Sequence, residues 1–463
     1  MIDEGSTPGR PALLTRLATR RWRVGLIAVA VIVVIAVATG VIYHATPNRN
    51  DVLHVVPNAP LSPTLASQTV YLPTDDGVYA LAASDGALRW TYPAGIDGVD
   101  GMDKTPNVNP QSALGLALDG ATLYVLASST DTGQWQTTLT ALNTSNGAPR
   151  WSVSPPAMMR GSLVQVGSLL IVAALGPAHP GAPPTAWTVE AYSAASGHLV
   201  WSRALAAAPL AKLVSSDGEI YIGTAKSLDA LDALTGAPRW STNIIPSAYQ
   251  EGTRPADANT AVALTTRGNR VYVLAKRAVA QGTGASWEAN VYQIDATDGT
   301  HIERAGYGHE PFDSAFAPSV SGATLIAPVF GGMMANPVGA GGAEWRFMPD
   351  SSVARGQAMT GGSIAYGMIY ATDLTGVLAS AHGVTAWENF TYAVRASDGA
   401  EMWRAPTNGG LLAEPPAVAS GVVLVPCGTV LRALRASDGH PLWTYMTPSA
   451  ARIASPVMDP DVI

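Results

Sequence analysis

The sequence is poor in cysteine and in charge. Cys427 is the single thiol among 463 residues, so an intramolecular disulfide, a Cys-based zinc cluster and a CxxC redox pair are all excluded. It stands in an apolar run, VVLVPCGTVL, where a thiol reads as a small buried hydrophobe. Charged residues make up only 13% against 47% hydrophobic, the reverse of what a disordered chain needs and too few charges for a coiled coil. Glycine (46) and proline (34) are plentiful but show no Gly-X-Y period, which excludes collagen. Together they mark many turns between short elements and favour β structure. The phosphate-binding GxxxxGK[ST] loop, the dinucleotide GxGxxG fingerprint, the GxSxG elbow and the HExxH metal spacing are missing from the sequence, and with them the chemistries those spacings build.

Charge is unevenly placed. Residues 1–43 carry Arg10, Arg16, Arg20, Arg21 and Arg23 against Asp3 and Glu4, a balance of +3, so the chain's net −7 leaves the rest at −10. An acidic body without a basic stripe is a poor nucleic-acid binder. The run Val24–Tyr43 is free of charge for 20 residues, about 30 Å as a helix and enough to cross a bilayer. With every one of those arginines on its amino-terminal side, it is expected to be a transmembrane helix with residues 1–23 as a cytoplasmic stub. Ala36-Val37-Ala38 resembles a signal-peptidase site, but the apolar run continues past it, which favours an uncleaved anchor. Residues 44–60 read as a polar tether. The remaining 61–463 are then held outside the cytoplasm at the cell membrane.

That remainder repeats itself. An apolar residue, four residues, Gly, three residues and Trp recur as Leu81, Gly86 and Trp90, then Leu142, Gly147 and Trp151, then Tyr192, Gly197 and Trp201, then Leu231, Gly236 and Trp240. Ile294 and Gly299 continue the series with Glu303 in place of Trp, and Val394, Gly399, Trp403 and Leu434, Gly439, Trp443 close it. A hairpin pattern precedes each cassette, as in LGLALDGATLYVLA and KLVSSDGEIYIG. An additional hairpin near residue 318 belongs with a degenerate cassette ending at Trp345. Counting it gives eight units of about 50 residues between Trp90 and Trp443. Four strands per unit at that period predict a β-propeller of eight blades, or seven if the Trp345 unit is a loop inside a smaller ring.

The residue types suit that architecture. Glycine between the third and fourth strands supplies the positive φ of a tight turn, and Ser, Thr, Asp or Asn before it bonds the turn's backbone. Trp90, Trp151, Trp201, Trp240, Trp345, Trp403 and Trp443 are expected to pack across the gaps between blades. Each such ring buries ~150–250 Å².

The cassette resembles the pyrroloquinoline quinone (PQQ) repeat, with LDALTGAPRW (231–240) matching its Ala-Leu-Asp-Ala-x-Thr-Gly-x-x-x-Trp pattern most fully. The resemblance implies a propeller over roughly residues 60–460 whose Gly-to-Trp stretch is a tryptophan-docking motif. It also implies one of two activities. Quinoprotein dehydrogenases in this family oxidise alcohols or sugars with PQQ and calcium, and many of the alcohol dehydrogenases carry two adjacent cysteines, which one thiol cannot supply. Non-enzymatic members include the propeller lipoprotein of the outer-membrane protein assembly machinery. The expectation is a scaffold or binding module for protein or envelope polymer, without a cofactor; the alternative is a PQQ-dependent dehydrogenase.

Few residues stand out for chemistry. Asp97, Asp100 and Asp103 in GIDGVDGMDK are weak calcium candidates, because the spacing is not that of an EF-hand loop. His44, His54, His179, His198, His301, His309, His382 and His440 are scattered and read as surface or tether positions. Asn143-Thr144-Ser145 and Asn389-Phe390-Thr391 fit the glycosylation sequon by composition. The Gly/Pro-rich stretches 175–187 and 330–345 look like rim insertions, where binding resides in many folds. Met333, Met334, Trp135, Trp287 and Trp387 then either form a partner surface or extend blade strands.

Overall fold

The apolar runs after each hairpin turn lack the in-out alternation of a half-exposed strand. Thr69–Thr74 and Val422–Cys427 are buried at every position, as strands covered on both faces must be. A sheet of four such strands needs a neighbour on each side, and the chain supplies them by repetition.

The computed structural model describes residues 69–74, 77–93, 115–131, 134–156, 158–175, 187–224, 227–244, 260–281, 284–310, 318–329, 332–338, 341–349, 358–374, 389–407, 415–448 and 457–458. They form eight antiparallel sheets. In chain order the blades lie within residues 69–93, 115–153, 158–204, 214–243, 260–310, 319–347, 358–406 and 417–446. Blades two to six and blade eight run simply from first strand to fourth. Blade seven divides its first position between Ala358–Met359 and Ser363–Ala365, both paired with Met368–Leu374. Blade one borrows its first strand from the far end of the sequence: Val457–Met458 pairs with Thr69–Thr74, setting Val70 against Met458 and Tyr71 against Val457. That borrowed strand adjoins the first strands of blades two and eight. The two ends of the repeat are thereby joined within one sheet, and no blade is left with an open face.

The core lies between blades rather than within them. Tyr71, Ala80 and Trp90 of blade one pack on Leu123, Val125 and Leu142 of blade two. Tyr221 and Leu228 of blade four meet Val271, Tyr292 and Ile294 of blade five. Leu424, Leu431 and Trp443 of blade eight meet Val70, Tyr79 and Leu81 of blade one.

The Trp345 unit is a full blade, with strands Ser319–Ser321, Thr324–Val329, Gly332–Pro337 and Trp345–Phe347, so the expected count of eight is borne out and the seven-bladed alternative falls; the expectation corrected is the reading of 330–345. Most of the stretch 330–345 is therefore not a rim insertion. Met333 lies on the third strand of that blade, 1% exposed in the cluster between blades six and seven, so it cannot contribute to a partner surface. Its apolar run is interrupted by Gly and Pro, which made a strand read as a loop. Trp135 and Trp287 fall within strands Gln134–Asn143 and Gly284–Asp295. Among the described residues no helix is long and apolar enough to cross a membrane; the stub, the span 24–43 and the tether 44–60 lie outside them.

Candidate functional site

The cassette turns repeat one geometry. Residues just before the glycine cap the turn: Asp85, Asn146, Asp298, Asp398 and Asp438 each accept from the backbone N–H two residues on, at 2.9–3.1 Å. The glycines Gly86, Gly147, Gly197, Gly236, Gly299, Gly399 and Gly439 have φ between 67° and 76°. This left-handed region is open to glycine at no steric cost.

Each turn receives a tryptophan from the blade before it. Trp90 donates its Nε1–H to the Thr144 carbonyl at 2.9 Å, Trp151 to Ala194 at 3.0 Å, Trp201 to Ala233 at 3.1 Å and Trp240 to Ala296 at 2.7 Å. Trp345 donates to Ala396 at 3.0 Å, Trp403 to Ala436 at 2.9 Å and Trp443, across the ring closure, to Ala83 at 2.8 Å. Three residues beyond each acceptor stands that blade's cassette glycine. A Cβ placed there would lie 2.6–2.7 Å from the indole, so the ring lies flat on the glycine backbone. The glycine and tryptophan within one cassette are therefore not partners; each tryptophan seats on the glycine of the following cassette. A tyrosine of the second strand backs the ring in four blades, with Tyr71–Trp90, Tyr124–Trp151, Tyr221–Trp240 and Tyr370–Trp403 centroids 5.8–6.0 Å apart. Sequence reasoning missed these tyrosines, although the recurrent VY and IY pairs in the hairpins carry the signal.

Seven joints are closed in this way and the joint from blade five to blade six is not. Glu303 sits opposite Gln293, as Trp240 sits opposite Ala230 in blade four. The receiving half is nevertheless built in blade six. Val338 N–H bonds Ala323 O at 2.7 Å, as Ala233 N–H bonds Gly218 O at 2.9 Å in blade four. Gly341, with φ 81°, has no described atom within 4 Å of a built Cβ. Arg267 ties the two blades by donating to the Val320 carbonyl.

Buried charge is scarce among the described residues. Glu190 in blade three accepts from Thr188 Oγ1 at 3.2 Å and from the Tyr192 hydroxyl. Asp373 in blade seven accepts from Phe390 N–H at 2.5 Å and from the Tyr392 hydroxyl at 3.1 Å. Burial, then the adjoining carboxylate, holds both tyrosines above the usual phenol range. The Cys427 thiol is buried and pushed up to about 11 by desolvation. Since the thiolate is the reactive form, the folded chain is expected to resist iodoacetamide at pH 8 while the guanidine-unfolded chain is fully alkylated. Mass spectrometry reads the difference, and equal labelling would contradict the buried placement. Asp97, Asp100 and Asp103 lie outside the described residues, as do His44, His54, His179, His382 and Trp387. Among the described residues no three His, Cys, Asp or Glu side chains converge as a metal site would require, and Glu190 and Asp373 are engaged in separate blades.

Fold and joints together define a PQQ-like repeat propeller of eight blades. Residues 102–303 and 288–463 match the family of the outer membrane protein assembly factor BamB, and the chain belongs to that family. Among solved structures, BamB from Moraxella catarrhalis is similar at 18% identity over 79% of this chain and 91% of its own, with a TM-score of 0.46. The dihydro-heme d1 dehydrogenase NirN is similar at 11% identity over 87% and 77%, with a TM-score of 0.51. The quinohemoprotein alcohol dehydrogenase of Comamonas testosteroni is similar at 13% identity over 82% and 66%, with a TM-score of 0.38. No curated protein matches.

Proposed function

We propose that this chain is a non-catalytic propeller scaffold that binds a protein or envelope-polymer partner outside the cytoplasm, held at the membrane by residues 24–43. The observation that carries the reading is membership, over residues 102–463, of a family named for an outer membrane protein assembly factor. The charge-free run behind five arginines supports the anchor and its orientation. The alternative is a quinoprotein dehydrogenase, favoured by the repeat alone.

The test is cross-linking of the full-length chain in its own membrane, followed by identification of the peptides joined to it. A reproducible partner attached through the propeller is the expected result. The purified chain given PQQ and calcium should show neither quinone absorbance nor dye-linked oxidation of alcohols or sugars; robust turnover would overturn the scaffold reading. A reporter fused after Ile463 that requires export for activity is expected to be active, and a cytoplasm-only signal would refute the orientation.

A further inference from the structure

The joint between blades five and six keeps the receiving glycine, carbonyl and tyrosine of an indole seat but lacks the indole and carries Gln293 where the other rows have alanine. In blade four, Tyr221, Ala230 and Trp240 form one row across the sheet, facing blade five. The matching row in blade five is Tyr272, Gln293 and Glu303, and Tyr272 faces blade six beside Leu325 and Ala327. Met334 and Val338 of blade six pack against this cluster while remaining partly exposed. No described residue donates to the Val338 carbonyl, the counterpart of the seven carbonyls that accept an indole N–H. Gly341 offers the flat face.

A second, independent feature points the same way. Gln293 is 7% exposed, and its Oε1 is buried without a hydrogen-bond partner. A buried amide left unmatched is costly, and this one faces the joint. Glu303 is exposed and forms no ion pair with any described residue. Ile302 beside it is an exposed apolar side chain. Among the described residues the site therefore offers an apolar floor, a glycine face, unmatched hydrogen-bonding groups and an exposed carboxylate at its mouth, with Arg267 and Arg270 acting on the same Tyr272.

We propose that the joint between blades five and six is a binding site for a tryptophan side chain presented by a partner polypeptide, with a cationic residue next to that tryptophan facing Glu303. Seven copies of the same seat in this chain hold an indole, so the eighth is shaped for one. The fourth strand of a blade lies at the edge of its sheet, so the seat opens outward and a partner reaches it without opening the ring. The carboxylate selects the neighbour of the tryptophan by charge. This partner chemistry rests on the scaffold reading, but the seat itself is tested without any natural partner.

The experiment titrates the full chain with acetyl-Arg-Trp-amide, acetyl-Glu-Trp-amide and acetyl-Arg-Leu-amide, following the backbone amide resonances of Val338 and Gly341. The Arg-Trp peptide is expected to shift both saturably. The Glu-Trp peptide should bind about threefold or more weakly, as expected for an exposed charge contact, and the Arg-Leu peptide should not saturate. Glu303→Trp fills the seat from within and should abolish binding. Glu303→Gln keeps the seat open and should bind both tryptophan peptides equally, which preserves the test if the tryptophan variant does not fold. No saturable shift in the natural chain, equal shifts with the leucine peptide, or binding that survives in a folded Glu303→Trp variant would overturn the proposal. A failed titration beside a successful membrane cross-link would remove the seat and leave the scaffold standing.

Discussion

Replacing Trp403 by alanine is expected to lower the stability of the propeller by about 3–5 kcal/mol, the cost of deleting a large buried aromatic. The ring is 6% exposed, lies on Gly439 and stands 5.8 Å from Tyr370. The Ala436 carbonyl accepts both Trp403 Nε1–H at 2.9 Å and the Tyr370 hydroxyl at 3.2 Å. Truncation removes the ring's own contacts with blade eight and half of what that carbonyl accepts. The surroundings cannot collapse to fill the space, because Gly439 is fixed by its own turn, with Ala436 N–H on Gly421 O at 2.8 Å and Gly439 N–H on Arg435 O at 2.8 Å. Trp403→Phe retains most of the apolar area and loses the N–H, so about 1–2 kcal/mol is expected. Denaturant midpoints at constant m-value measure both. An unchanged midpoint for Trp403→Ala would show that the ring is not a packing element.

The architecture was legible because the cassette keeps its spacing through copies with little else in common. Leu231, Gly236 and Trp240 are separated as Val394, Gly399 and Trp403 are, since turn and strand must present the same surfaces to successive neighbours. The pairing was less legible. Spacing shows that Gly236 and Trp240 recur together, yet Gly236 receives Trp201 and Trp240 sits on Gly299. A contact between consecutive units leaves the same periodic trace as a contact within one. The sixth blade was half hidden for a different reason. Asn336 stands where the other cassettes carry an apolar residue, and Pro337 ends the third strand, so local composition argued for a loop while packing against blade seven enforced a strand. The seat at blades five and six was not legible. Glu303 read as a lost tryptophan; Gln293 stands where the other cassettes carry alanine before the apolar residue, but that Gly341 keeps the receiving half shows only in its backbone and surroundings.

Gly439→Ala is expected to cost more than Gly421→Ala, although both residues belong to blade eight and have nearly the same backbone. Their φ values are 73° and 76°, so an added Cβ incurs the same left-handed penalty of about 1–2 kcal/mol at each. Around Gly421 no described atom lies within 4 Å of that Cβ, whereas at Gly439 it meets the Trp403 ring at 2.6 Å. The ring must move off the turn, and its hydrogen bond to Ala436 lengthens with it. Overpacking of this kind adds about 1–3 kcal/mol, which is the expected difference between the two variants. The double variant Trp403→Ala with Gly439→Ala separates conformation from contact. Once the indole is gone the methyl has nothing to strike, so the pair should cost less than the sum of the two single losses. Equal losses at Gly421 and Gly439, or strict additivity in the double variant, would mean that the glycine serves only its turn. The expected coupling instead makes it one surface of the joint, matched to an indole that arrives from the preceding blade.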